Sequence, residues 1–163
     1  MAMIAPNRVA STNVFMVEPG SNVVVFGLGG IGLNVIQGAR MVGADKIIGV
    51  DINPGRKAMA EKFGMTHFVN PKEIGGDLVP YLVNLTGGGA DFVFECIGLV
   101  PTVQQAVAMT GRGGTTVLVG IVPITQMVTL SPADITLQEK HITGSYMGST
   151  RFRFDMPKYV EFY

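Results

Sequence analysis

Short aliphatic runs alternate along the chain with segments whose apolar positions recur at helical spacing. Residues 22–26 and 46–50 are almost wholly apolar, the pattern of strands covered on both faces. Between them Ile31, Val35, Ala39 and Val42 recur every three or four residues, which predicts a helix over 30–42. Gly43 follows, where a left-handed helix end favours glycine. Asn53-Pro54 opens a second helix that passes Met59 and Phe63 and stops at Gly64. Residues 67–69 read as a third strand, 77–86 as a third helix with Pro80 in its first turn, 90–96 as a fourth strand and 102–109 as a fourth helix. Gly111-Arg112-Gly113-Gly114 turns into a fifth strand over 115–119. Ser131-Pro132 caps a fifth helix within 131–139, and 141–147 reads as the sixth strand. This alternation predicts an α/β fold: one domain built on a doubly wound, six-stranded parallel sheet.

The junction of the first strand and first helix carries the candidate chemistry. The strand runs into Gly27-Leu28-Gly29-Gly30-Ile31-Gly32, a G-x-G-x-x-G turn that opens the helix. Gly27 allows a tight turn, Gly29 lets backbone approach a pyrophosphate, and Gly32 lets helix pack on strand. The helix then points its first free N–H groups at an anion. A glycine triplet alone suits any tight corner. The preceding strand, the following helix and Asp51, nineteen residues beyond Gly32, make it a dinucleotide-binding fingerprint of a Rossmann fold. At the end of the second strand Asp51 can accept hydrogen bonds from ribose hydroxyls, and its charge disfavours a 2′-phosphate, so NAD is expected over NADP. The plain alternative is an acid beside the next helix start.

Composition narrows the classes. Hydrophobic residues make up 47% of the 163 and charged ones 15%, with mean hydropathy +0.38. That surplus of apolar surface predicts a covering domain or subunit. No apolar stretch is long enough for a membrane span, and zero net charge gives no case for nucleic acid or a membrane surface. A single cysteine, Cys96, leaves no internal disulfide or cysteine-rich zinc cluster. The first residues do not read as a signal peptide, so a cytoplasmic protein is expected.

The run VVVFGLGGIGLNVIQGARMVGADKIIGVDINPGRKAMAEKFG resembles the coenzyme-binding domain of zinc-type, medium-chain alcohol dehydrogenases. The likeness is to the class III branch, which includes S-(hydroxymethyl)glutathione dehydrogenase. It continues through GGADFVFECIG, GRGGTTVLVGIVP and GSYMGSTRFRFDMPKYVEFY. The resemblance implies a domain over 21–163 that binds NAD and positions the nicotinamide for hydride transfer with an alcohol or aldehyde. Residues 1–20 are then a lead-in from a catalytic domain that supplies zinc. The family's zinc-ligand cysteine and its Thr-Gly-x-Gly loop are replaced here by Ala2-Met3 and Pro6-Asn7-Arg8-Val9. An excised coenzyme domain without turnover of its own is expected, with neither catalytic residues nor metal ligands. The alternative from another class is a stand-alone module that senses NAD or NADH.

Within that resemblance the cofactor contacts fall on 27–32, Asp51 with Ile52, Arg56, Cys96-Ile97-Gly98, Val119-Gly120-Ile121, Ser145 and Met147. Arg56 lies over the ribose or is a solvated helix charge. Cys96 reads as a small buried hydrophobe, since no His or Lys accompanies it in sequence. Val119, Ile121, Ser145 and Met147 match main-chain contacts to the nicotinamide end. His67 and His141, the only histidines, are read as structural. Arg151 and Arg153 flank Phe152 as a surface patch or a domain contact. The sixth strand would leave an unpaired edge, and the resemblance implies pairing of such edges across a two-fold axis, so a homodimer through residues near 125–147 is expected.

Overall fold

The structure, a computed structural model, describes residues 17–146 together with Arg153, Pro157 and Val160. Its strands are β1 (Val23–Phe26), β2 (Ile47–Val50), β3 (His67–Val69), β4 (Ala90–Glu95), β5 (Thr110–Leu118) and β6 (His141–Gly144). Its helices are α1 (Gly30–Met41), α2 (Lys57–Phe63, preceded by a 3₁₀ turn at Pro54–Arg56), α3 (Leu78–Thr86), α4 (Val100–Met109) and α5 (Pro132–Leu137). The strands form one sheet in the order β3-β2-β1-β4-β5-β6, and every neighbouring pair is parallel. The order reverses direction between β1 and β4, which is where ligands of such sheets bind.

The uniform apolarity of β1 and β2 follows from this layering. Side chains alternate across a strand, so Val23 and Val25 enter one core with Val35, Ile36 and Ala39 of α1 and Ala60 of α2. Val24 and Phe26 enter the other with Leu78 and Leu82 of α3 and Ala106 and Met109 of α4. Residues of this kind each gain roughly 1.5–3 kcal/mol on full burial. Polar side chains cap the ends: Asp77 accepts from the Val79 N–H at 3.2 Å, and Ser131 from the Asp134 N–H at 3.3 Å. Gly64 and Gly87 close α2 and α3 in the left-handed conformation.

Three expectations need correction. The Gly111–Gly114 stretch lies inside β5, because Thr110 already pairs with Ala90 before the strand bulges and resumes at Phe92 and Thr115. The sixth strand stops at Gly144, not at 147. Its partner β5 ends at Leu118, which pairs with Gly144 and accepts once more from the Ser145 N–H at 2.9 Å. After Leu118 the chain turns toward β4 and the ladder has no further partner. Helix α4 begins two residues before the expected start, with Pro101 in its first turn. His67 and His141 are both exposed at the starts of β3 and β6, and His67 shares a 2.8 Å hydrogen bond with Thr66. Arg153 is exposed, whereas Arg151 and Phe152 lie outside the described residues.

Candidate functional site

Two glycines shape the corner between β1 and α1. Gly27 holds φ +89°, a left-handed conformation that other residues adopt at a cost. A Cβ on Gly32 would collide with the Gly27 carbonyl oxygen, so only glycine allows this approach of helix to turn. Gly29 caps α1 in an extended conformation, with no side-chain hydrogen bond and no acid in the first turn. The amino end of α1 therefore keeps donors and partial positive charge for an outside anion.

Asp51 follows β2, the strand beside β1. Its Oδ2 accepts from the Leu28 N–H at 2.9 Å and its Oδ1 from the Asn53 N–H at 2.8 Å. The glycine turn thus fixes the direction of the carboxylate. Arg56 places Nη1 3.6 Å from Oδ2, and the same nitrogen lies 3.2 Å from where a Cβ of Gly29 would stand. The guanidinium spans from the acid to the glycine turn. Its side chain is 46% exposed, so water screens the pair.

A cavity of about 340 Å³ opens at the carboxyl ends of β1, β2 and β4. Of the residues singled out in the sequence, it brings together Gly27, Gly29, Asp51, Ile52, Arg56, Cys96 and Ile97. Leu28 and Gly32 lie buried behind the turn, and Gly30 and Ile31 are exposed at the helix start. Gly98 is buried beneath the wall. Val119, Gly120, Ile121 and Ser145 lie along the ends of β5 and β6, outside the cavity lining. Ser145 is 8% exposed and its Oγ has no hydrogen-bond partner among the described residues. Met147 lies outside the described residues. Leu99, Thr102 and Gln105 of α4 and the turn before it also line the cavity, though sequence spacing did not single them out.

Cys96 is poorly suited to nucleophilic chemistry. Burial pushes its thiol up to about 12, and the neighbouring Glu95 carboxylate adds to the rise. Among the described residues no three His, Cys, Asp or Glu side chains stand together as a metal site. The zinc implied for a complete enzyme has no ligand set among them. Also among the described residues, no helix is long and apolar enough to cross a membrane.

The family model described as zinc-binding dehydrogenase matches residues 30–163. The chain is 47% identical, over 161 residues, to a class-3 alcohol dehydrogenase of Cereibacter sphaeroides, covering 94% of this chain and 43% of that relative. A benzyl alcohol dehydrogenase from Acinetobacter calcoaceticus superposes with a TM-score of 0.85 at 32% identity, over 90% of this chain and 40% of that one. A putative zinc-binding dehydrogenase from Sinorhizobium meliloti, bound to NADP, gives a TM-score of 0.76 at 36% identity, over 80% of this chain and 38% of that one. The chain thus spans less than half the length of these relatives. A parallel sheet with its cleft at the switch of strand order, a glycine turn and a fixed acid accompany a match that runs through the last residue: the chain belongs to the zinc-binding dehydrogenase family.

Proposed function

We propose that this domain binds NAD(H) and, as part of a complete zinc-dependent alcohol dehydrogenase, positions the nicotinamide for hydride exchange with an alcohol or aldehyde. One observation carries the reading. Asp51 is held by the Leu28 N–H within the glycine turn, beside an amino end of α1 that has no acid of its own. A diphosphate suits the helix end, and the adjoining ribose suits the carboxylate. The glycine turn, which a side chain on Gly32 would block, fits such a ligand. Bound there, NAD supplies the hydride acceptor. Asp51 orients the ribose, while Ile52 and Ile97 offer exposed apolar surface to the base.

A Sinorhizobium relative is bound to NADP, which differs from NAD by the phosphate on the adenosine ribose, so cofactor choice falls to the residues that would meet that ribose. With the ribose on Asp51, its charge would repel a 2′-phosphate, which favours NAD. Arg56 offsets part of that charge. Fluorescence titration with NADH and NADPH tests the reading. The chain should bind NADH more tightly, and Asp51→Ala should weaken NADH about tenfold while narrowing the gap to NADPH. Absence of NADH binding by the wild-type chain would overturn it.

The reading extends to assembly as a homodimer through residues near 125–147. Among the described residues β6 pairs with β5 alone, at the edge of the sheet. Tyr146, two residues beyond β6, is 78% exposed, and Ile124 and Met127, in the segment before α5, are 98% and 86% exposed, apolar surface that a second copy would cover. Sedimentation at tens of micromolar should return twice the 17.3 kDa chain mass; a monomer would refute the dimer.

A further inference from the structure

Glu95 ends β4 with no exposed surface, and none of the contacts above requires its side chain. A carboxylate withdrawn from water persists only where donors replace its hydration. Here the Ile97 N–H donates to Oε1 at 3.0 Å, the Gly98 N–H reaches both oxygens at 2.9 and 3.1 Å, and the Thr102 hydroxyl shares its proton between Oε1 at 2.8 Å and the Leu99 carbonyl at 2.9 Å. Thr102 belongs to the first turn of α4, so the acid also meets the positive end of that helix. The main chain of the same residue reaches the other way. Its carbonyl accepts from the Val119 N–H at 2.9 Å and the Gly120 N–H at 2.8 Å.

The two segments so held are packed on each other. A Cβ on Gly120 would stand 2.6 Å from Glu95 Oε2, and one on Gly98 would stand 2.8 Å from the Ile121 nitrogen. Glu95 is thus the common support of 96–98 and 119–121. Yet Cys96, Ile97, Leu99 and Thr102 line the cavity while Glu95 does not.

We propose that Glu95 is the positioning residue of the dinucleotide cleft: without touching the ligand, its carboxylate sets where Ile97, Gly98 and Thr102 stand, and NADH affinity depends on it. This rests on the reading of the cleft as an NAD(H) site. In Glu95→Gln an amide donor replaces one oxygen and faces the Gly98 N–H. Thr102→Val deletes one donor, and Thr102→Ser keeps it. Thr110→Val is the control, because it breaks the buried Thr110–Thr116 hydroxyl pair (2.6 Å) at the start of β5, away from the cleft.

The test is NADH titration of these four variants and the wild type, below all their unfolding temperatures, with the Ile97 and Gly98 amide resonances followed by NMR. Glu95→Gln should raise the NADH dissociation constant about tenfold and Thr102→Val about threefold, both with moved Ile97 and Gly98 resonances. Thr102→Ser should restore affinity, and Thr110→Val should lower the unfolding temperature with affinity unchanged. Wild-type affinity in Glu95→Gln and Thr102→Val overturns the proposal. So does lost affinity with unmoved resonances, or a Thr110→Val loss in proportion to its instability. If Glu95→Gln does not fold, the Thr102 pair decides alone. Failure of the wild type to bind NADH overturns instead the reading of the cleft itself.

Discussion

The corners after β1 and β4 are neighbours in the sheet, with Phe26 paired to Glu95, and each leads a strand into a helix. They treat the helix amino end in opposite ways. At α1 the cap is a glycine, the first turn holds no acid, and the donors are left for a ligand. At α4 the chain supplies its own anion, the buried Glu95 carboxylate, to the Ile97 and Gly98 N–H groups and to Thr102. The far end of α4 is matched as well. The Lys140 ammonium donates to the Val107 and Ala108 carbonyls at 3.0 and 3.2 Å and meets Asp134 at 2.9 Å. The same strand-to-helix geometry thus serves recognition when its donors stay free and rigidity when they are filled from within.

The contrast predicts where damage falls. Glu95→Ala leaves buried donors at α4 without an acceptor and should cost about 4 kcal/mol in chemical denaturation; a stability near wild type would show that the acid holds little. Gly32→Ala attacks the α1 corner through a collision with the Gly27 carbonyl. We expect a loss of about 3 kcal/mol together with NADH binding. Retention of both would mean that the turn relaxes freely. Lys140→Met removes the ammonium from the far end of α4 and should cost about 2 kcal/mol, read from the shift of the denaturation midpoint. The smallest effect concerns Cys96, beside Glu95. Its folded thiol, at about 12, holds the proton more tightly than the unfolded one near 9.0. Folding gains from this below pH 9 and loses the gain as pH rises from 9 toward 12. At pH 8, alkylation of the folded chain should be slower than that of the urea-unfolded chain on the order of a hundredfold. Equal rates would place the thiol in water.

The α1 corner was legible in the sequence because each of its devices has a residue-level signature. Glycine spacing marks the turn, aliphatic runs mark strands covered on both faces, and Asp51 stands at a fixed remove. The α4 corner was not legible. Glu95 reads in sequence as an ordinary polar strand end, and its partners are two backbone N–H groups and a threonine whose identities advertise nothing. The one available signal was a lone acid closing the run Phe92-Val93-Phe94, where burial demands donors. The end of β6 is hidden for a related reason: the sequence stays compatible with a strand to 147, but pairing stops at Gly144 because its neighbour β5 ends at Leu118, which a single segment does not disclose. Arg56 offered two readings by sequence. Its bridge from Asp51 to the glycine turn exists only once β2 and α1 lie side by side.

Among the described residues, those lining the cavity all come from 26–105, none from β5 or β6. β5 and β6 stand behind that wall, which the chain after β5 reaches only where 119–121 packs against Gly98. Loop insertions between residues 124 and 131, beyond the 119–121 segment packed against Gly98, should therefore leave the pocket's shape intact, so the shape of the cleft and the surface at the sheet edge are separately adjustable traits within one short stretch of polypeptide.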